Sequence, residues 1–295
     1  MSLIHLKGFE YFEPETAQEA ADLLNEYGPD AQILAGGVDL VPRLRTGSIS
    51  AAYIINIGRI EGLNAVSFDE GAGLAFGAMA TLQKLETDPD LKKHYPCLQE
   101  AIHQITSVQS KYMGTAVGNL CVATPASDLA PVLMAYDASL EIAGPDGTRA
   151  VKLSDFYEGY HQTVLKKGEF VTRVLVAAPA PGTGDAFLNK VRTHADIAKV
   201  TVAAVVVMDG GTIKEARIGL GAVAATALRA TKAEGLLAGR APDAAVIAEA
   251  AEAAASEAAP ITDFRSTEEY RLEMVRVLTR RALVKAIENA GRAAK

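Results

Sequence analysis

The spacing of apolar positions changes several times along this chain, and the changes mark its organisation. Glu10 to Phe12 reads as a short strand. Ala17, Ala20, Ala21, Leu23 and Leu24 recur at helical spacing behind Pro14-Glu15-Thr16, and Tyr27-Gly28-Pro29 ends that helix. Ala31 to Ala35 predicts a strand closed by Gly36-Gly37. Asp39, Leu40, Val41 and Leu44 then suggest a short helical turn, and the β-formers of Ala52 to Ile57 a further strand. From Leu63 the pattern becomes that of hairpins, with Leu63 to Phe68 and Leu74 to Gly77 joined over Asp69-Glu70-Gly71. Helices are predicted from Thr81, over Pro96 to Ile105, and from near Ser127, where Asp128 falls in the first turn and Pro131 is tolerated. Ser139 to Ala143 and Arg149 to Lys152 predict another hairpin about Gly144-Pro145-Asp146-Gly147.

Proline, glycine and alanine crowd out core residues over 177–184, which predicts a boundary. Beyond it Ala186 to Val191, Val200 to Met208 and Ile213 to Val223 read as strands. Helices follow at about Ala227 to Leu237, Pro242 to Ala258 and Thr267 to Ala290. The expected class is α+β, with one domain over 1–177, divided near residue 60, and a second over 185–290 in which helices cover an antiparallel sheet.

Composition narrows the function. The 295 residues are 49% hydrophobic, enough for one large core or several smaller ones. A net charge of -7 without a basic stripe argues against a nucleic-acid partner. No stretch approaches the roughly eighteen apolar residues of a membrane span, and the first residues lack a signal-peptide core, so cytoplasmic residence is expected. Cys97 and Cys121 are the only cysteines, which rules out an iron–sulfur cluster held on four thiolates of this chain; Cys121 reads as a small buried apolar residue. His5, His94, His103, His161 and His194 stand apart and match no metal-ligand spacing, and Tyr157 and Tyr160 read as packing residues.

Two glycine-bearing segments carry the candidate chemistry. Leu34-Ala35-Gly36-Gly37-Val38-Asp39-Leu40 leads from strand to helix, where converging backbone amides bind an anion and glycine admits a phosphate closely. Gly114-Thr115-Ala116-Val117-Gly118-Asn119 runs into Ala123-Thr124-Pro125-Ala126-Ser127-Asp128, a second backbone shaped for a polar ligand. A third stretch, Gly219-Leu220-Gly221-Ala222-Val223-Ala224, fits the dinucleotide pattern G-x-G-x-x-A. Asp209-Gly210-Gly211 makes its strand the second arm of an antiparallel hairpin, however, whereas the dinucleotide fingerprint belongs to a parallel βαβ unit. These glycines are therefore read as thinning the strand for a packed helix or partner.

Taken together, Ala35-Gly36-Gly37 with its acid-Leu pair, the Thr115 to Asn119 segment with Ala-x-Pro-x-x-Asp-x-x-Pro, and Phe187-x-x-Lys190-x-Arg192-x-x-x-Asp196-x-Ala198 resemble the FAD-binding medium subunits of the molybdenum hydroxylases, which include the carbon monoxide and xanthine dehydrogenases. The resemblance extends to Arg265-Ser266-Thr267-Glu268-Glu269-Tyr270-Arg271. It implies a two-subdomain FAD domain of the vanillyl-alcohol-oxidase type plus a smaller α+β domain. It puts the FAD diphosphate against Leu34 to Leu40. Further cofactor contacts are implied at Ala78 and Thr81, at Gly114, Thr115, Gly118, Asn119 and Ala123, at Asp128 for the ribityl chain or flavin, and at Lys190 near the isoalloxazine. The family usually has glycine where Val117 stands, which implies a less close phosphate approach there. No catalytic acid or base and no metal ligand is expected on this chain. The implied role is electron outlet of a complex: a large subunit with the molybdenum cofactor, a small subunit with [2Fe–2S] clusters, and FAD here passing electrons to an external acceptor. A stand-alone FAD oxidoreductase and a flavin-free scaffold are the alternatives.

Overall fold

The computed structural model describes residues 8–193 and 196–293; the histidines at 5 and 194 lie outside them. Strands β1 (Glu10–Phe12), β2 (Ala31–Leu34) and β3 (Tyr53–Asn56) form a parallel sheet in the order β1-β3-β2. Its connections contain α1 (Ala17–Tyr27) and α2 (Leu40–Thr46). The start of α1 is fixed by a capping box: the Thr16 hydroxyl accepts from the Glu19 amide at 3.1 Å, and the Glu19 carboxylate accepts from the Thr16 amide at 3.3 Å.

A second, antiparallel sheet contains β4 (Val66–Asp69), β5 (Gly73–Gly77), β6 (Ser139–Gly144), β7 (Gly147–Lys152) and, after the small ribbon of β8 (Tyr157–Gly159) and β9 (Gln162–Thr163), β10 (Phe170–Val176). Its order is β4-β5-β10-β6-β7, so β10, which the apolar pattern did not predict, is the central strand. A register shift between Val171 and Arg173 puts neighbouring apolar residues on the buried side and breaks the alternation that would have revealed it. Between β5 and β6 run α3 (Leu82–Glu86), α4 (Pro89–His94), α5 (Pro96–Gln104), α6 (Val108–Met113), α7 (Ala116–Cys121) and α8 (Leu129–Ala135). Three of these, α4, α6 and α7, are six residues each, too short to show a helical period.

The carboxy-terminal part is an antiparallel sheet of β11 (Thr183–Lys190), β12 (Val200–Asp209), β13 (Thr212–Gly221) and β14 (Leu228–Arg229), covered by α9 (Thr231–Leu237), α10 (Ala244–Glu257) and α11 (Glu268–Ala293). Leu228-Arg229, expected in the helix after β13, is instead its edge strand. Ala186, Val200, Val202, Ala204 and Val206 face α9–α11, while Phe187, Ala203 and Val205 belong to the core of the amino-terminal part. A sheet buried on both faces explains the continuous apolar run from Val202 to Val207.

Helix α8 lies in that seam with all seven of its residues buried. A side chain on Gly219 of β13 would put its Cβ 1.9 Å from the Pro131 carbonyl oxygen, so the glycines at 219 and 221 do thin the strand for a packed helix. Farther along the seam, the Tyr136 hydroxyl donates to the Asp185 carboxylate and the Asn289 amide to the Asp185 carbonyl.

Candidate cofactor site

The Leu34–Leu40 segment connects the end of β2 to α2. Gly37 has φ +70°, a conformation glycine adopts without strain, and Gly36 is forced by proximity: a Cβ there would sit 1.9 Å from the Met113 carbonyl oxygen. The two glycine-bearing segments therefore touch. Among the described residues, no acceptor is within hydrogen-bond reach of the amides of Gly36, Gly37, Val38, Asp39 or Leu40. A run of unpaired amides at a partly exposed turn needs water or an anionic ligand. Asp39 sits at the start of α2 without capping it and instead pairs with Arg43 at 3.3 Å.

The second segment is less of a loop than its composition suggests. Only Gly114 and Thr115 are extended; Gly118 and Asn119 lie within α7, whose first turn is capped by the Thr115 hydroxyl accepting from the Gly118 amide at 3.0 Å. The Gly118 amide is thus already engaged within the protein. Val117 is 3% exposed and packs in the core. Thr81 and Thr115 form an isolated antiparallel bridge, with the Leu82 amide donating to the Gly114 carbonyl at 2.9 Å. Ala78 is buried and its amide donates to the Thr172 carbonyl, while the Thr81 hydroxyl caps α3. These two residues hold the second segment in place; the protein already uses both the Ala78 amide and the Thr81 hydroxyl.

A chain of side-chain bonds leads on from α7. The Ser127 hydroxyl donates to Asn119 Oδ1 at 2.6 Å and accepts from the Ala130 amide at 3.1 Å, so it is Ser127, not Asp128, that caps α8. Asp128 instead accepts from the Thr201 hydroxyl of β12 at 2.7 Å. Burial raises its carboxyl from 3.8 to about 6, against the lowering effect of the Thr201 hydroxyl. No donor among the described residues reaches its second oxygen. Thr201 was missed at the sequence level, although a lone hydroxyl in an otherwise apolar strand was a signal for it.

Lys190 lies apart from this group. It is the last residue of β11 and pairs with Val200, which is buried beneath the carboxy-terminal helices, whereas its neighbour Asn189 pairs with Thr201 on the face turned to Asp128. Arg192 pairs with Asp196 at 3.6 Å, and Lys190 has no ion-pair partner among the described residues.

Two family models match the chain: the FAD binding domain in molybdopterin dehydrogenase over residues 7–179, and the CO dehydrogenase flavoprotein C-terminal domain over 185–286. The carbon monoxide dehydrogenase medium chain of Afipia carboxidovorans is 34% identical over 94% of this chain and 96% of its own length. The chain belongs to the FAD-binding medium subunits of the molybdenum hydroxylases. Within that family, a putative xanthine dehydrogenase FAD-binding subunit of Escherichia coli is 29% identical over 95% of this chain and 97% of its own. The solved carbon monoxide dehydrogenase of Hydrogenophaga pseudoflava contains a chain that superposes with a TM-score of 0.93 at 33% identity, covering 97% of this chain and 99% of that one. The α+β architecture and the FAD-binding domain implied by the resemblance are both present.

The residues present suit the cofactor of a medium subunit. The amides of Gly36 to Leu40 offer neutral donors for a diphosphate, at a turn where a side chain on Gly36 could not be accommodated. Burial holds the Cys97 thiol well above its ordinary range and desolvation pushes that of Cys121 up to about 12, so both are protonated thiols at neutral pH. Among the described residues no group of His, Cys, Asp and Glu could hold a metal ion, and no helix is long and apolar enough to cross a membrane.

Proposed function

We propose that this chain is the electron outlet of a molybdenum hydroxylase assembly, taking electrons from [2Fe–2S] clusters on a small partner subunit and delivering them to an external acceptor. The bound FAD would supply the exchange between one-electron carriers and a two-electron acceptor. Substrate oxidation would belong to a large subunit carrying the molybdenum cofactor. The run of unpaired amides from Gly36 to Leu40, pressed against Met113-Gly114, is the observation that carries this reading. In it, Leu34 to Leu40 hold the diphosphate, the Thr115 hydroxyl and the Asn119 amide group hold the next part of the cofactor, Ala123 closes that turn, and the free oxygen of Asp128 accepts from a ribityl hydroxyl or the ring. Lys190 acts by charge from the end of β11. Ala78, Thr81 and Gly114 contribute by fixing the backbone.

Four exposed apolar side chains, Ile197, Ile261, Phe264 and Tyr270, lie on segments gathered by one buried arginine. Arg271 donates to the carbonyls of Lys199 and Ala222 and to the Asp263 carboxylate, at 2.8–2.9 Å. Such a surface supports a chain that works inside an assembly.

The test separates the outlet from a self-sufficient enzyme. The purified chain should be yellow and release about one FAD on denaturation; loaded with FAD, it should bleach only when the cluster-bearing and molybdenum subunits and their substrate are added together. A chain that oxidised a small molecule unaided would overturn the proposal. The substrate is not fixed by this subunit, since relatives of similar identity come from carbon monoxide and xanthine dehydrogenases.

A further inference from the structure

Five described non-glycine residues have positive φ: Thr106, Ala123, Asp137, His161 and Ala222. Three of them converge on one short strap, residues 122–127, which joins α7 to α8. Ala123 is in the left-handed region at the position just beyond α7, where glycine is the usual occupant. His161, from the β8–β9 ribbon, holds it there in two ways. Its amide donates to the Ala123 carbonyl at 2.8 Å, and its ring Nδ1 lies 2.6 Å from the Val122 carbonyl oxygen, a contact that requires the proton on Nδ1. From the other side, the Ala222 amide donates to the Pro125 carbonyl at 2.8 Å. The strap thus ends at Ser127, whose hydroxyl ties it back to Asn119.

A left-handed alanine and a left-handed histidine each cost on the order of 1 kcal/mol, and strain of this kind persists only where its surroundings over-determine it. Here two backbone amides, those of His161 and Ala222, tether the strap, and one imidazole from outside the helix satisfies a carbonyl that the end of α7 leaves without a partner. We propose that His161 is a positioning residue for the cofactor: by capping α7 from the β8–β9 ribbon it fixes the strap, and through the strap the spacing of Asn119 and Asp128. This rests on the reading of Asn119 and Asp128 as cofactor contacts. The Tyr160 ring, with its centroid 4.1 Å from that of His161, covers one side of the imidazole, which gives Tyr160 a purpose beyond general packing.

The experiment uses the full-length chain stripped of FAD and titrated with FAD, following fluorescence quenching, the absorption spectrum and the midpoint potential. His161→Gly removes the ring without straining position 161 and should weaken FAD binding about tenfold, the equivalent of one lost hydrogen bond to a constrained carbonyl. It should also shift the flavin spectrum and potential. His161→Asn, which keeps a donor and tolerates positive φ, should stay within about threefold of the parent. Adding Ala123→Gly to His161→Gly should recover most of the loss, because glycine needs no clamp to adopt the turn. FAD affinity, spectrum and potential unchanged in His161→Gly would overturn the proposal. So would a loss that Ala123→Gly does not relieve, since the effect would then not pass through the strap. A parent chain that took up no FAD would instead refute the cofactor reading on which the proposal stands.

Discussion

Gly36 and Gly219 are alike in one respect: a Cβ at either would lie 1.9 Å from a backbone carbonyl oxygen, that of Met113 in the first case and Pro131 in the second. They differ in what that closeness serves. At Gly36 two backbone segments meet at a partly exposed turn whose neighbouring amides have no acceptor among the described residues. At Gly219 a strand meets the fully buried helix α8, and the backbone beside the contact is engaged within the protein, with the Ala222 amide on the Pro125 carbonyl. Glycine spacing alone cannot tell these cases apart; the unpaired amides can. A ligand cradle leaves hydrogen-bonding groups over, and a packing contact does not.

The largest effect is expected at the packing glycine. Gly219→Val should push α8 off β13 and cost several kcal/mol, on the scale of severe overpacking, seen as loss of soluble chain or a fall in melting temperature of ten degrees or more. Gly36→Val should separate the two cofactor segments while leaving the two cores intact. FAD retention should drop by about a hundredfold or more in equilibrium dialysis, with far-ultraviolet circular dichroism unchanged. If Gly36→Val unfolded the chain and Gly219→Val merely bleached it, the assignment of the two contacts would have to be exchanged.

Asp128 belongs to both regions, standing at the start of α8 yet keeping one oxygen without a donor among the described residues. Its carboxyl binds a proton more tightly folded than unfolded, so stability is lost as pH rises from about 4 to about 6 and stays lost above. The raised value, about 6 against 3.8, corresponds to about 3 kcal/mol. Asp128→Asn should therefore make the FAD-free chain more stable at pH 8, flatten that part of its stability profile in urea titrations, and still weaken FAD binding. A variant no more stable than the parent at pH 8 would show that the carboxylate is better solvated than its burial implies. The smallest effect is expected at Lys190→Ala: a modest fall in flavin midpoint potential with FAD affinity little changed, read by redox titration. The register favours Asn189 over Lys190 as the neighbour of the Asp128–Thr201 pair, and an Asn189→Ala change that moved affinity more than Lys190→Ala would support that ordering.

Much of this architecture was legible from residue pattern. The α1 helix announced itself through Thr16 and its apolar spacing, and rejection of the glycine motif at 219–224 on topology agrees with the antiparallel pairing of β12 and β13. What escaped was short or non-local. Helix α7 hides in a segment rich in small residues because six residues cannot show a period. The central strand β10 is masked by its bulge. In the candidate site, the glycine segments could be read directly, whereas Thr201 and His161 act through partners 73 and 39 residues away in the chain. No local pattern encodes such a contact.

The two-faced burial of the carboxy-terminal sheet sets how the molecule comes apart. Phe187, Ala203 and Val205 complete one core while Val202, Ala204 and Val206 complete the other, so β12 is common property of both halves. A protease that nicked the Pro- and Gly-rich segment at 177–184 would leave two fragments that stay together, and the amino-terminal fragment alone would expose the apolar surface β12 had covered. Amide exchange should be slowest along β12, and the halves should melt as one cooperative unit rather than in sequence.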